Sequence, residues 1–548
     1  MFFAWPVGAM LTRGFLGEHG VDLTGFAEVL GSARSWRIIG HTLFMAVAGT
    51  AGAVLLGIPG AYILYRCRFP GQSLLRGIST IPFVLPTVVV GVAFRALFGP
   101  GGPLQFLGLD QTTAAVVLAM VFFNFSVVVR QVGALWQVLD PRTVDAARTL
   151  GASPLRAFTT VTLPALGPAI ASSAGLVFLF CSTAYGIVRS LGAPGVGTVE
   201  TEIHRQTHVF LDLRTAAVFS VLQFVFVLAS VGLTQGVLKR TTTGLRLQQS
   251  HTHRLTRADV VPLALTLATV VLLVSGPLVS LVVRSFRTAG EWSVTNYQLL
   301  ATSSGTGYAG GATVLEALEH SVRIAVDATL ITLVMAVPLA FLLTRPVRTV
   351  WGRRLQRGMD ALIMLPIGVS AVTIGFGFVV SVQLAAPQLA YSGALVPLAQ
   401  SVVALPMVVR TLVPVLGAIS PRLREAAATL GASPLRVLAT VDGPFLLRGL
   451  GLATGFAFAI SLGEFGATSF LASPERQTLP MLIVQLLGRP GADNYGMAMA
   501  GSVLLAVITA AVLLICERLR PRALRDRAPE QTLGSSLATP STQKVGAL

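Results

Sequence analysis

The chain has 548 residues, of which 53 % are hydrophobic and 11 % are charged, and its formal net charge is +17. Soluble domains carry about 25 % charged residues, so this composition excludes a soluble globular protein and indicates an integral membrane protein. The basic excess does not form one nucleic-acid-binding face, because the arginines occur in short clusters between apolar stretches. Such clusters are typical of the cytoplasmic loops of membrane proteins. We therefore expect a lipid membrane around the chain and no nucleic-acid partner.

Apolar stretches long enough to cross a bilayer, which takes about 20 residues, recur along the chain. The first half contains predicted spans at 41–65, 75–98, 113–136, 166–188 and 214–237. The second half contains predicted spans at 259–283, 321–344, 359–383, 392–415, 449–471 and 496–516. A shorter apolar stretch, 1–16, lacks the basic start and the cleavage site of a signal peptide, so we interpret it as a first span with a shortened start. The predicted fold class is an all-α integral membrane protein with about 12 transmembrane helices.

Basic residues are concentrated in alternate loops. The loops after the second, sixth and eighth predicted spans contain Arg66, Arg68, Arg76, Lys239, Arg240, Arg246, Arg254, Arg257, Arg345, Arg348, Arg353, Arg354 and Arg357. The loops 99–112 and 384–391 contain no arginine or lysine. Because basic loops stay on the cytoplasmic side, we expect both chain termini to be cytoplasmic.

The two halves of the sequence match each other at an offset of 280 residues. Arg130 corresponds to Arg410, and Gly186 corresponds to Gly466. A six-span repeat keeps both copies in the same orientation, so the repeat is parallel. The predicted organisation is a first repeat at 1–237, a cytoplasmic linker at 238–258, a second repeat at 259–520 and a disordered cytoplasmic tail at 521–548.

One polar segment occurs in both repeats, as DAARTLGASPLR at 145–156 and EAAATLGASPLR at 425–436. Counted from Pro141 and Pro421, 12 of 16 positions are identical. Three features predict a short helix in each copy: Asp140 or Ser420 as N-cap, proline at the first helical position, and a glycine at the end. The Ser-Pro pair then opens a second helix. Since solvated connecting loops normally diverge, the duplication indicates two equivalent partner sites.

This segment resembles the EAA loop of the permease subunits of ABC importers, which reads E-A-A-x-x-x-G and is followed after nine residues by I-x-L-P. The matching residues are Asp145, Ala146, Ala147 and Gly151 in the first repeat and Glu425, Ala426, Ala427 and Gly431 in the second. Two departures are Asp145 in place of Glu and Asp442-Gly443 in place of x-Leu. Two such loops in one chain resemble the fused permeases of ferric-iron and thiamine importers.

The resemblance implies the partners. In that family the loop seats in a cytoplasmic ATPase, so we expect an ABC ATPase dimer inside, an extracytoplasmic substrate-binding protein outside, and a location in the cytoplasmic (inner) membrane of a prokaryote. Neither Lys239 nor Lys544 lies in a G-x-x-x-x-G-K-[ST] phosphate loop. We therefore expect the chain not to be an enzyme and to bind no cofactor, with ATP-Mg on the ATPase. The alternative from another class is an ion-gradient-driven secondary transporter, in which parallel six-plus-six repeats also occur.

A candidate substrate path centres on Glu464, which lies inside the predicted span 449–471. Charges at membrane depth are costly and usually mark function or a buried pair. We place Glu464, Phe465, Tyr185 and Arg189 along this path, with Arg189 as a possible ion-pair partner of Glu464. The alternative for Glu464 is a structural role, as an ion pair or a bond to a helix end.

Metal binding is not predicted. His204 and His208 are four residues apart and would share a helix face, as metal ligands can, but a surface helix acquires such pairs by chance. The cysteines at 67, 181 and 516 show no metal-like spacing. The substrate stays open at this stage: thiamine or ferric iron is favoured, and other small solutes such as polyamines, sulfate or molybdate are not excluded.

Overall fold

The computed structural model describes residues 4–17, 20–192, 195, 197–241, 252–302, 312–345, 347, 349–385, 393–473 and 476–518. Within these ranges the chain is almost entirely helical, and its strands are three pairs of two residues each. The pairs β1–β2 and β5–β6 are antiparallel, whereas β3–β4 is parallel. The predicted tail at 521–548 lies outside the described residues.

The first half of the chain forms α1 (Ala4–Phe15), β1 (Leu16–Gly17), β2 (Gly20–Val21), α2 (Thr24–Gly31), α3 (Ala33–Arg66), β3 (Cys67–Arg68), α4 (Gln72–Val84), α5 (Thr87–Phe98), α6 (Thr113–Val138), α7 (Arg142–Thr149), α8 (Pro154–Ala157), α9 (Leu163–Ser182), α10 (Tyr185–Leu191), α11 (Val199–His208) and α12 (Leu213–Thr241). The second half forms β4 (His253–Arg254), α13 (Val260–Ala268), α14 (Gly276–Ser285), β5 (Arg287–Thr288), β6 (Glu291–Trp292), α15 (Thr295–Gln298), α16 (Val314–Thr344), α17 (Val350–Gly368), α18 (Ala371–Ala385), α19 (Leu395–Gly417), α20 (Pro421–Thr429), α21 (Pro434–Val437), α22 (Gly443–Gly463), α23 (Thr468–Leu471), α24 (Leu479–Gly488) and α25 (Ala492–Arg518).

The described ranges contain nine helices that are long and apolar enough to cross a membrane, or eleven if each of two bent pairs counts as one span. Each of the eleven predicted long spans coincides with one of these helices or pairs. The twelfth prediction corresponds to α1, whose 12 residues cover about 18 Å at 1.5 Å per residue, less than the hydrocarbon core of about 30 Å. The chain is thus an all-α integral membrane protein.

Two predicted spans are not continuous helices, which corrects the sequence-based expectation. α4 and α5 meet at 111°, and α17 and α18 meet at 99°. At the first break Leu85 is extended, because the ring of the following Pro86 disfavours a helical conformation for the residue before it. At the second break Val369 is extended. At both breaks, backbone N–H and C=O groups therefore lack partners within the helix and can bond neighbouring segments.

Two further spans begin and end earlier than predicted. The helices run from Pro154 to Ser182 and from Pro434 to Gly463, instead of 166–188 and 449–471. The residues after each end form separate short helices, α10 and α23. This difference matters, because the candidate path residues lie in those connections.

The first helix of each half packs against the broken helix of the other half. α1 packs against α18 and α12, while α14 packs against α5 and α25. The contact is close, since a Cβ on Gly377 in α18 would lie 2.8 Å from the carbonyl oxygen of Pro6 in α1. These contacts between the halves form one shared apolar core, which contains Val88, Phe376 and Phe465.

Candidate functional site

The two polar loops fold alike. The residues of α7 and α20 include no buried side chain. Gly151 and Gly431 follow these helices in the left-handed conformation, with φ of 86° and 78°, as a helix-ending glycine requires. The Ser153 and Ser433 hydroxyl groups cap the starts of α8 and α21 by accepting hydrogen bonds from the backbone amides three residues later.

The predicted N-caps differ from each other in the structure. The Asp140 carboxylate accepts a hydrogen bond from the Arg142 amide at 3.0 Å, so it satisfies the start of α7 as a capping residue does. Ser420 occupies the N-cap position of α20 as predicted, but its side chain makes no hydrogen bond to the helix.

Sequence reasoning missed the leucines of these loops. Leu150 and Leu430 are each 88 % exposed, and Leu155 and Leu435 are also exposed. The acidic residue and first alanine of each motif are exposed too, while Ala147 and Ala427 are partly buried; the exposed ones are Asp145, Ala146, Glu425 and Ala426. Leucine at the same two positions of both loops was the available signal. Two matched, apolar surfaces on otherwise polar loops favour contact with another protein.

The second loop is anchored by a buried carboxylate. Asp442 has no exposed surface, and its two oxygens accept hydrogen bonds from Arg345 and Arg424, each at 2.7 Å. Arg424 belongs to α20, and Arg345 follows the end of α16, so the ion pairs attach the loop helix to the helix bundle. Thr162 occupies the corresponding position of the first repeat. The Asp442-Gly443 departure from the EAA pattern is therefore a structural anchor.

The two repeats meet where α22 ends and α10 begins. The rings of Tyr185 and Phe465 stack with centroids 5.3 Å apart and planes 15° apart, and both side chains are buried. Gly186, next to this stack, lets the start of α5 come close, because a Cβ there would collide with the Thr87 hydroxyl oxygen. The broken helix α4–α5 thus packs directly against the residues next to this stack.

A row of aromatic rings continues from this stack. The His204 ring lies 5.6 Å from Tyr185 and 4.3 Å from His208, and Phe470 meets both imidazoles edge-on. The pKa of His204 is lowered to about 3, mainly by burial and secondly by the neighbouring His208. Burial also lowers the pKa of His208. Both histidines are neutral at physiological pH and act here as aromatic packing residues.

Glu464 does not occupy the place that was predicted for it. It follows the end of α22 in an extended conformation, and its carboxylate accepts hydrogen bonds from the Ala467 and Thr468 amides at 2.7 and 2.9 Å. The ion pair with Arg189 is not formed, and Arg189 lies beside Tyr185 instead. The alternative of a bond to a helix end agrees with the structure: the carboxylate binds the free amides at the start of α23.

Glu200 in α11 is a buried acid. Its side chain has no exposed surface, and the Ser370 hydroxyl donates to its carboxyl at 2.5 Å. Ser370 stands at the break before α18, so this bond joins the two repeats. Burial raises the pKa of Glu200 to about 8, which leaves the group neutral at pH 7. Its neighbour Glu202 instead pairs with Arg34 at 3.1 Å.

These features define a class of protein. Two parallel helical repeats with a buried polar and aromatic interface, broken helices at that interface and two exposed loop helices are the parts of a membrane transport permease.

Comparison with known proteins supports this assignment. Residues 53–244 match the family of binding-protein-dependent transport system inner membrane components. The chain is 25 % identical over 504 residues to the thiamine transport system permease protein ThiP of Brucella abortus, covering 88 % of this chain and 87 % of that protein. It is also 29 % identical over 262 residues to the 2-aminoethylphosphonate transport system permease protein PhnU of Salmonella typhi, covering 45 % of this chain and 89 % of that protein.

The chain is a permease subunit of an ABC importer, with two permease units fused in one polypeptide. The permease role that the EAA resemblance predicted is confirmed, and the gradient-driven carrier is no longer needed to explain the repeat. A crystal structure of a bacterial alginate ABC importer shows limited similarity, with 16 % identity, a TM-score of 0.38 and coverage of 43 % of this chain and 89 % of that one.

Proposed function

We propose that this permease imports thiamine across the bacterial inner membrane. The observation that carries the proposal is the similarity to a thiamine permease over both repeats, 504 residues in all. The similarity to the aminoethylphosphonate permease extends over only 45 % of this chain. The fused architecture thus favours thiamine.

A separate ATPase dimer drives this import through the two loops. One ATPase subunit docks on α7–α8 and the other on α20–α21, with the exposed leucines entering apolar pockets and Asp145 and Glu425 meeting basic groups. Binding of ATP and Mg occurs on that dimer. The matched exposure of Leu150 and Leu430 supports two equivalent docking sites.

The orientation follows from the basic loops. The arginine-rich segments that include Arg66, Arg345 and the inter-repeat linker face the cytoplasm by the positive-inside rule, and both termini then lie inside. An extracytoplasmic substrate-binding protein delivers the solute from the opposite side.

Transport requires the contact between repeats to open and close. In the present state Tyr185, Phe465 and the Glu200–Ser370 bond close the interface between the repeats. Closure of the ATPase dimer moves the two loop helices, and the repeats separate around the stack. A complete switch between two states takes about 5.5 kcal/mol of differential binding, which a nucleotide-driven partner supplies.

Uptake by whole cells tests the substrate. A strain without its own transporters for thiamine, ferric iron and 2-aminoethylphosphonate would express the chain with its native ATPase and binding protein, and uptake of the three labelled solutes would be compared. We expect uptake of thiamine alone. Uptake of either other solute without thiamine would refute the assigned substrate and leave the permease family unaffected.

A variant in the same assay tests the coupling route. Leu150→Asp combined with Leu430→Asp should abolish uptake, because charged side chains cannot enter an apolar pocket at low cost. Leu55→Ala is the matched control, since Leu55 is 70 % exposed on the membrane-spanning α3 and should retain uptake. Undiminished uptake in the double variant would contradict docking through these loops.

A further inference from the structure

Three metal-ligating side chains converge where α3 ends and the second repeat begins. Cys67, His253 and Asp259 each offer one ligand atom, and these atoms lie within 4.8 Å of one another. The parallel pairing of β3 with β4 places Cys67 opposite His253. The Cys67 Sγ atom lies 3.7 Å from His253 Nε2, which in turn lies 3.4 Å from an Asp259 carboxylate oxygen.

The Cys67–His253 and His253–Asp259 separations suit a tetrahedral metal site. With Zn–S near 2.3 Å and Zn–N and Zn–O near 2.0 Å, neighbouring ligand atoms around zinc are roughly 3.3–3.7 Å apart. The thiolate, imidazole and carboxylate set also selects for zinc and related transition metals, whereas magnesium and calcium prefer oxygen ligands alone. Distance and donor chemistry therefore point to the same kind of ion.

The carboxylate of this cluster is oriented by its own neighbours. The Tyr62 hydroxyl donates to one Asp259 oxygen at 2.6 Å, and the Thr256 amide and hydroxyl both donate to the other at 2.8 Å. Groups that hold a ligand in this way are a regular part of metal sites. Cys67 and Asp259 are buried, while the His253 side chain is 39 % exposed, which leaves a route for the ion and a fourth position for water.

We propose that Cys67, His253 and Asp259 bind a Zn²⁺ ion that fastens the inter-repeat linker to the end of α3. Binding converts the Cys67 thiol to a thiolate and releases its proton to solvent, with no change in oxidation state. The site joins residues 186 positions apart, so cysteine spacing along the sequence gave no sign of it. The proposal is independent of the transported solute.

Metal binding by the full-length chain in lipid nanodiscs tests the proposal. The purification tag should contain no histidine. We expect one zinc per chain by mass spectrometry, and in the cobalt-loaded protein a thiolate-to-cobalt charge-transfer band, with magnesium causing neither. Cys67→Ser should lose the band. Both Cys67→Ser and His253→Ala should lose at least tenfold in zinc affinity. Tyr62→Phe should keep the band and lose about tenfold in affinity, the cost typical of a group that orients a ligand.

Cys516→Ser and Cys181→Ser serve as matched controls, since these thiols lie outside the cluster, and both should bind zinc as the unmodified chain does. Equal zinc content in Cys67→Ser and the unmodified chain would overturn the proposal. So would a cobalt-loaded, monodisperse unmodified chain without the charge-transfer band. That second measurement needs no variant, and it remains decisive if the substituted chains fold poorly.

Discussion

Tyr185 of the first repeat and Phe465 of the second repeat stack with ring centroids 5.3 Å apart, at the point where a helix ends in each repeat. In the proposed transport cycle, this stack belongs to the interface between the repeats that opens. Because the two rings belong to different repeats, their interaction energy exists only while the repeats are together.

We predict that the stack stabilises the closed state measurably. Tyr185→Leu, Phe465→Leu and the double variant form a double-mutant cycle, in which an aromatic pair is worth about 0.5–1.5 kcal/mol beyond its buried area. The coupling energy should be read from thermal unfolding of the detergent-solubilised chain without ATPase. A cycle that closes with no coupling would mean that the rings pack independently.

The loop leucines should determine ATPase binding. Leu150→Asp and Leu430→Asp should each weaken capture of the ATPase, and the double variant should abolish it, because each loop meets one ATPase subunit. Co-purification of the ATPase with the chain measures this directly. Leu55→Ala should co-purify the ATPase normally, and a double variant that does so as well would place the docking surface elsewhere.

The second loop should depend on Asp442 more than the first loop depends on Thr162. Asp442→Asn leaves Arg424 buried without its counter-charge, and breaking a buried pair typically costs 3–5 kcal/mol. Because the Arg345 side chain is 41 % exposed and stays solvated, we expect about 2 kcal/mol of lost stability. Thermal unfolding measures the loss, and Thr162→Val is the control with a smaller expected effect. Equal losses in the two variants would contradict the anchoring role.

The acids at 200 and 202 should respond to substitution with opposite signs. The pKa of Glu200 lies near 8 in the folded chain and near 4.5 in the unfolded chain. Its contribution to folding stability is therefore fully present below about pH 4.5 and is lost as the pH rises toward 8. Glu200→Gln stays neutral, and its melting temperature should exceed that of the unmodified chain by an amount that grows from about pH 5 to about pH 8.

Glu202→Gln is the matched comparison. It removes the ion pair with Arg34, whose side chain is 45 % exposed, and should lower stability by about 1 kcal/mol or less. Melting temperatures of both variants across the same pH series provide the test. Destabilisation by Glu200→Gln at pH 8 would show that the buried acid is ionised in the fold.

Local patterns in the sequence determined much of this protein. Long apolar stretches predict membrane helices because a bilayer demands about 20 apolar residues, and the left-handed Gly151 and Gly431 follow from helix-ending chemistry alone. The repeated loop also identified the class of transporter, through its resemblance to the EAA loop.

Contacts between distant residues were decided only by the tertiary structure. Glu200 looks like a surface acid until the fold brings Ser370 to it, and Glu464 looks like a charge inside a helix until that helix ends at Gly463. Cys67 and His253 come together through a strand pairing that no local pattern announces. In each case the surroundings of a polar group are set by a segment that lies far away in sequence, and those surroundings determine whether the group is charged, bonded or exposed.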